Sequence, residues 1–195
     1  MTAKQSNSAV QSAVGIWEID PAHSSAQFSV KHMMIANVKG EFTKVSGRVR
    51  FDEANIEQSS VEATVDINSI STREPNRDAH LKSADFFDAE NFPAMQFQSK
   101  RVLRDSDDGL KVFGDLTIRG TTREVTFEVA GPTGAIKDPW GKLRRGVSAT
   151  AKINRKDFGL TWNAALETGG VLVGDEVKIT LDVELVAAES ASAEN

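Results

Sequence analysis

Cysteine is absent from all 195 residues. That excludes disulfides, iron–sulfur clusters, thiolate zinc sites and a cysteine nucleophile. Tyrosine is absent too, so the aromatic content consists of ten Phe and three Trp. This suits a dry interior, and it suits any barrel core equally. Histidine occurs three times, at His23, His32 and His80, with no i, i+4 pair of the kind that holds a metal on a helix. No apolar run reaches membrane-spanning length. The opening MTAKQSNSAVQSAVG lacks the apolar core of a signal peptide. Basic charge is in deficit: the net charge is −5, whereas a nucleic-acid partner needs a basic field. The expectations are a cytoplasmic protein (periplasmic if a leader was removed ahead of this sequence), no metal and no nucleic acid.

Alternation of apolar and polar residues is present instead, over most of the chain. Residues 16–20 form a short strand that Pro21 interrupts. In residues 24–32, Ala26, Phe28, Val30 and His32 share one face. Residues 41–51 turn Val45, Gly47, Val49 and Phe51 inward, with Phe42 out of phase and a bulge expected beside it. Further inward faces are Val61 to Ile67, Met95 to Ser99, Leu110 to Ile118, Val125 to Val129, Val147 to Ile153 and Val177 to Leu185. Asp107-Asp108-Gly109 and Gly120 mark turns. Residues 131–142 hold two prolines and three glycines and form a loop; Lys142, Arg144 and Arg145 form a solvated basic cluster beside it. Residues 1–14 and 187–195 are small and polar and read as disordered tails.

About eight strands with short connections and one apolar face each imply an all-β, antiparallel up-and-down barrel over residues 15–186, since closure pairs the edges. A two-sheet sandwich is the alternative. Residues 70–99 break the pattern. Ser71 and Glu74 stand at capping-box spacing, so a short helix is expected to run towards Lys82. Phe86, Phe87 and Phe92 then crowd around Asp88, Asn91 and Pro93. This segment is expected to fold over the mouth of the barrel, its base tied by salt bridges among Arg77, Asp78, Asp85 and Asp88. In an up-and-down meander, residues 33–40, 70–93, 119–122 and 154–174 share one rim. That rim collects Met33, Met34, Phe86, Phe87, Phe158 and Trp162, which fit a plug and a ligand entrance equally.

No catalytic constellation emerges. Asp78 and His80 lack a serine in a nucleophile elbow. Asp157-Phe158-Gly159 imitates a kinase triplet without the Gly-rich loop or the strand lysine that triplet needs.

Six stretches resemble the YceI-like family in their order along the chain: DPAHSSAQFSVKH, GEFTKVSGRVRFD, SISTREPNRDAHLKSADFFD, FPAMQFQS, GDLTIRGTTREVTFEV and INRKDFGLTWN. The resemblance covers about residues 16–186. It implies a lipocalin-like barrel whose lumen holds a polyprenyl chain or the tail of an isoprenoid quinone, and a homodimer. It offers no catalytic residue and no cofactor.

Each CH₂ removed from water is worth about 0.8 kcal/mol, so a chain of isoprene units binds tightly without polar contacts. The lumen candidates are Phe28, Val30, Phe42, Val65, Met95, Phe97, Leu116 and Ile118. Met33, Met34, Phe86, Phe87, Phe158 and Trp162 are the rim candidates, and His32, Arg77 and Arg119 the head-group candidates. The expected function is non-catalytic sequestration or transport of such a lipid. Two alternatives stay open: an enzyme acting on a barrel-bound lipid or quinone, and a filled barrel serving as a stress-related interaction module. The small inward Ala26, Gly47, Ala63, Gly114, Ala149 and Ala151 argue against filling.

Overall fold

The computed structural model describes residues 14–106, 109–167 and 169–188. Twelve strands are formed: β1 (Gly15–Ile19), β2 (Ser25–His32), β3 (Ala36–Phe42), β4 (Val45–Phe51), β5 (Ser60–Asp66), β6 (Ile70–Ser71), β7 (Ala94–Arg104), β8 (Gly109–Ile118), β9 (Thr121–Ala130), β10 (Ile136–Lys137), β11 (Leu143–Asn154) and β12 (Val173–Ala187). Among the described residues there is one α-helix, α1, spanning Pro75–Lys82. All strand pairs are antiparallel, in the order β10-β11-β9-β8-β7-β5-β4-β1-β12-β2-β3-β6. Pairing of β11 with β12 closes a ring of eight strands, β1, β4, β5, β7, β8, β9, β11 and β12. The sandwich is thereby set aside.

The fold is an up-and-down meander with interrupted strands. β12 pairs with β2 over its first part and with β1 at its end, so β1 and β2 form one bent line broken at residues 20–24. β3 and β4 form the second line, broken at Thr43 and Lys44. That break resolves the phase of Phe42. No bulge is needed, because the interruption lets Phe42 (4% exposed) and Val45 (5%) both face the core despite their odd separation. Two glycines let the wall curl. Phe28 lies across from Gly40, and a Cβ at Gly40 would meet its ring at 2.4 Å. A Cβ at Gly114 would meet the Phe97 ring at 2.5 Å. In both places an aromatic ring covers bare backbone, which a larger residue would block.

Several sequence expectations are corrected. Residues 33–40 are not one loop: only 33–35 turn, and β3 resumes at Ala36. Arg144 and Arg145 are not in a solvated cluster but in β11, with side chains only 17% and 11% exposed. Their neighbours explain this, since acids surround one and aromatic rings the other. The helix is capped by Glu74, which accepts from Asn76 N and Arg77 N, rather than by Ser71. Pro75 at the first helical position fixes the start there. Ala187 belongs to β12, paired with Trp17, and Ala188 N donates to Ile16 O. Val14 is described and exposed; the rest of both tails, and Asp107 and Asp108 of the expected turn, lie outside the described residues. No helix among the described residues is long and apolar enough to cross a membrane.

Candidate functional site: an apolar cavity and its covered mouth

The inward faces of the strands surround a cavity of about 280 Å³ whose exposed lining is wholly apolar. It begins above a sealed end. There Trp17, Phe51, Leu185 and Ile56 are buried, and the Arg145 guanidinium lies 5.1 Å from the Trp17 ring and 5.2 Å from that of Phe51. A cation over two ring faces is attracted by their quadrupoles. Beside it, Arg144 Nη1 donates to Asp20 Oδ2 at 2.7 Å and to the Glu184 carboxylate, and its Nε donates to Asp138 Oδ2 at 2.7 Å. The His23 and Arg144 bonds hold the Asp20 carboxyl down at about 2, below the ordinary 3.8. Asp138, then Asp20 and Glu184, raise the affinity of Arg144 for its proton.

Ligand atoms of Asp20, His23 and Glu184 lie within 4.8 Å of one another, a grouping that the sequence reading did not foresee. Arg144 already supplies the positive charge for its two carboxylates, so the cluster reads as an ion-pair tie between β11, β12 and the break that follows β1.

Two segments cover the other end. The first contains α1. Asp78 Oδ1 accepts from Thr72 N (2.8 Å) and Thr72 Oγ1 (2.5 Å), while Arg77 donates to Thr72 Oγ1 and O. This knot replaces the expected salt-bridged base: Arg77 and Asp78 are spent on Thr72, Asp85 pairs with His80, and Asp88 accepts from Asn91. The knot and the turn that follows carry Leu81, Phe86 and Phe87 onto the cavity. Phe87 meets Phe42 edge-on at 5.8 Å.

The second cover, residues 155–167 and 169–172, is organised by Arg155, which is 4% exposed. Its Nε donates to Gly174 O (2.8 Å), and its Nη1 to Leu160 O (2.6 Å) and Trp162 O (2.9 Å). Burial pushes its guanidinium below the ordinary value, opposed by Asp175. Phe158, Leu160 and Arg155 itself line the cavity. The covers meet in an aromatic cluster, with the Trp162 ring 4.7 Å from His80 and 5.2 Å from Phe86.

All eight lumen candidates, Phe28, Val30, Phe42, Val65, Met95, Phe97, Leu116 and Ile118, line this cavity. So do Phe86, Phe87 and Phe158 of the rim set. Trp162 does not line it and instead joins the two covers. Met33 and Met34 do not line it either; they sit on an exposed turn, 41% and 58% accessible. The three head-group candidates are not among the lining residues. Arg77 is spent on Thr72, Arg119 Nη1 donates to Gly159 O at 3.2 Å, and His32 stands where β2 meets Ala36 and Val173. Sequence reasoning missed Arg155. A lone arginine between a strand and a Gly-containing turn carries no local sign that the carbonyls of Leu160, Trp162, Val173 and Gly174 will converge on it.

Fold and cavity together define a lipocalin-like, closed antiparallel barrel with one covered apolar lumen. The chain belongs to the YceI-like family, whose domain matches residues 17–185. UPF0312 protein SA2479 of Staphylococcus aureus strain N315 is 41% identical over 171 residues, 87% of this chain and 96% of that protein. Among solved structures, BcnA of Burkholderia cenocepacia superposes with a TM-score of 0.73 at 26% identity, covering 85% of this chain and 98% of that one. The YCEI protein of Campylobacter jejuni gives 0.68 at 32% identity, covering 82% and 90%. A polyisoprenoid binding domain from Saccharophagus degradans shares the fold, with a TM-score of 0.63 at 14% identity over 90% of this chain and 100% of that domain.

Proposed function

We propose that this protein binds one long-chain isoprenoid-type lipid in its lumen, a polyprenyl chain or an isoprenoid quinone tail, and sequesters or transports it without covalent chemistry. The carrying observation is the cavity itself, whose exposed lining offers no polar group to a ligand. Its volume of about 280 Å³ lies near the lower bound for ligand sites, roughly 300 Å³. The lumen therefore suits a slim chain, with the head group left at the mouth between the two covers. The polyisoprenoid binding domain named above has the same fold, which makes a prenyl chain the first ligand to test. An unfilled lumen disfavours the filled-barrel alternative. A homodimer and a cytoplasmic location remain parts of this proposal, to be read from sedimentation and fractionation.

The test is organic extraction of the purified protein with mass spectrometry of the extract, repeated on Phe97→Glu. A stoichiometric prenyl lipid that disappears in the folded variant is the expected result. An empty extract with no uptake of added prenyl lipid, or binding unchanged in Phe97→Glu, overturns the reading.

A further inference from the structure

The turn between β2 and β3 spends apolar side chains on solvent. Ile35 is 81% exposed, Met34 58% and Met33 41%. Met33 and Met34 have φ of 51° and 62°, both in the left-handed region. They are the central residues of a turn closed by Ile35 N donating to His32 O, and a turn with positive φ at both central positions is ordinarily built from Asn and Gly. Methionine there strains the backbone, and the exposed side chains give little core packing in return.

The turn sits at the covered mouth. Met33 N donates to Leu172 O at 2.8 Å, where exposed Val171 (38%) adjoins it. Val30 and Val173, which line the cavity, lie within three residues of the turn or opposite its base.

Behind this apolar tip the outer face is basic. Register places Lys39 and Lys178 on either side of Ser29, and Lys152 opposite Lys178. Lys31 stands opposite Asn37. Beside this row, Glu176 pairs with Lys152, and Asp175 with Lys156 and Arg155. Among the described residues no carboxylate pairs with Lys31, Lys39 or Lys178. This local positive row stands out against a chain of net charge −5.

We propose that Met33, Met34 and Ile35 form a membrane-docking tip that seats the barrel, mouth first, on a bilayer containing anionic lipid. The spacing fits. At about 3.3 Å per strand residue, Lys31 lies about 7 Å behind Met33 and Lys39 about 13 Å behind Ile35. Interfacial elements bury their apolar side roughly 5–10 Å deep, so the lysines reach the phosphate layer as the tip enters. Charge complementarity favours this occupant over a second copy, whose tip would bring the same lysines against themselves. The proposal goes beyond cavity binding, and its test is independent of cargo.

The full chain is sedimented with vesicles of phosphatidylcholine alone or mixed with phosphatidylserine. The expected result is binding to the mixed vesicles that weakens as salt rises. Met33→Asn with Met34→Gly supplies ordinary turn residues, so it folds at least as stably, and it lowers binding roughly tenfold or more. Lys39→Gln lowers it about fivefold. Ile35→Trp gives a blue-shifted emission only with mixed vesicles. Equal sedimentation of the turn variant, binding indifferent to phosphatidylserine, or no binding by the wild type overturns the proposal. Loss of a dimer in the turn variant without any vesicle binding also overturns it and assigns the tip to a second copy. Prenyl lipid extracted from the turn variant at wild-type stoichiometry separates a failure of docking from a failure of the lumen.

Discussion

The two ends of this barrel are closed by different physics. At the sealed end, Arg145 stacks over Trp17 and Phe51, and Arg144 ties Asp20, Asp138 and Glu184 together. Arg144 and Asp20, for example, are 124 positions apart. Apart from the local Arg144–Asp138 pair, these contacts exist only when the ring is closed. At the mouth, both covers are held mostly by short-range bonds between a side chain and nearby backbone, Asp78 and Arg77 to Thr72, and Arg155 to Leu160 and Trp162. A cover built this way keeps its own shape whether or not it lies against the strands. To lift, it would give up its aromatic and apolar contacts and a few polar ties to the strands, such as Arg155 to Gly174 O and Arg119 to Gly159 O. The sealed end cannot open without breaking the ring.

The largest test removes Trp17. Trp17→Ala empties a site that is 6% exposed, and such truncations cost about 3–5 kcal/mol. Denaturant unfolding should show that loss as a single cooperative transition shifted downwards. A variant of unchanged stability would break the comparison, because the sealed end would then not be integral to the ring.

Arg155→Met sharpens it. Buried carbonyls left without donors cost about 1–3 kcal/mol each, yet the loss should be mostly local. Hydrogen exchange should accelerate across residues 156–173 while β8 and β9 stay protected, and a bound lipid probe should leave faster. Uniform loss of protection over the whole barrel would mean that the mouth is as integral as the base.

The smallest effect is in acid. Asp20 has its carboxyl at about 2 in the folded protein, against 3.8 ordinarily. A lowered folded value means stability that is fully present above about 4 and lost as pH falls towards 2. The wild type should therefore lose stability over that window, and Asp20→Asn should flatten that limb while lowering stability at neutral pH. Parallel acid limbs for the two proteins would detach Asp20 from the tie at the sealed end.

Strand identity was legible because the period of two is a local property. Each inward residue announces itself through its neighbours at i±2, and seven of the eight lumen candidates, all but Phe42, follow from that alone. The phase error at Phe42 shows the limit: a break of two residues looks like a bulge until its partners are known. The mouth was half legible. Crowded phenylalanines mark residues 86–92 as a cover, but the head-group arginines were read from their charge, and Arg77 and Arg119 turn out to be spent on Thr72 and Gly159.

The sequence by itself determined an antiparallel, one-sided set of strands, a cysteine-free interior, a helix-bearing interruption and the inner faces. Those are properties of short windows, set by side-chain periodicity and backbone preference. Only the tertiary structure decided that Arg144 and Arg145 are working cations rather than solvated ones, that Arg155 organises the second cover, and that two methionines stand on a strained turn at the mouth. Each of these depends on which distant strands become neighbours. That is settled when β12 pairs with β1, β2 and β11 at once, and the ring closure responsible is a property of the whole chain.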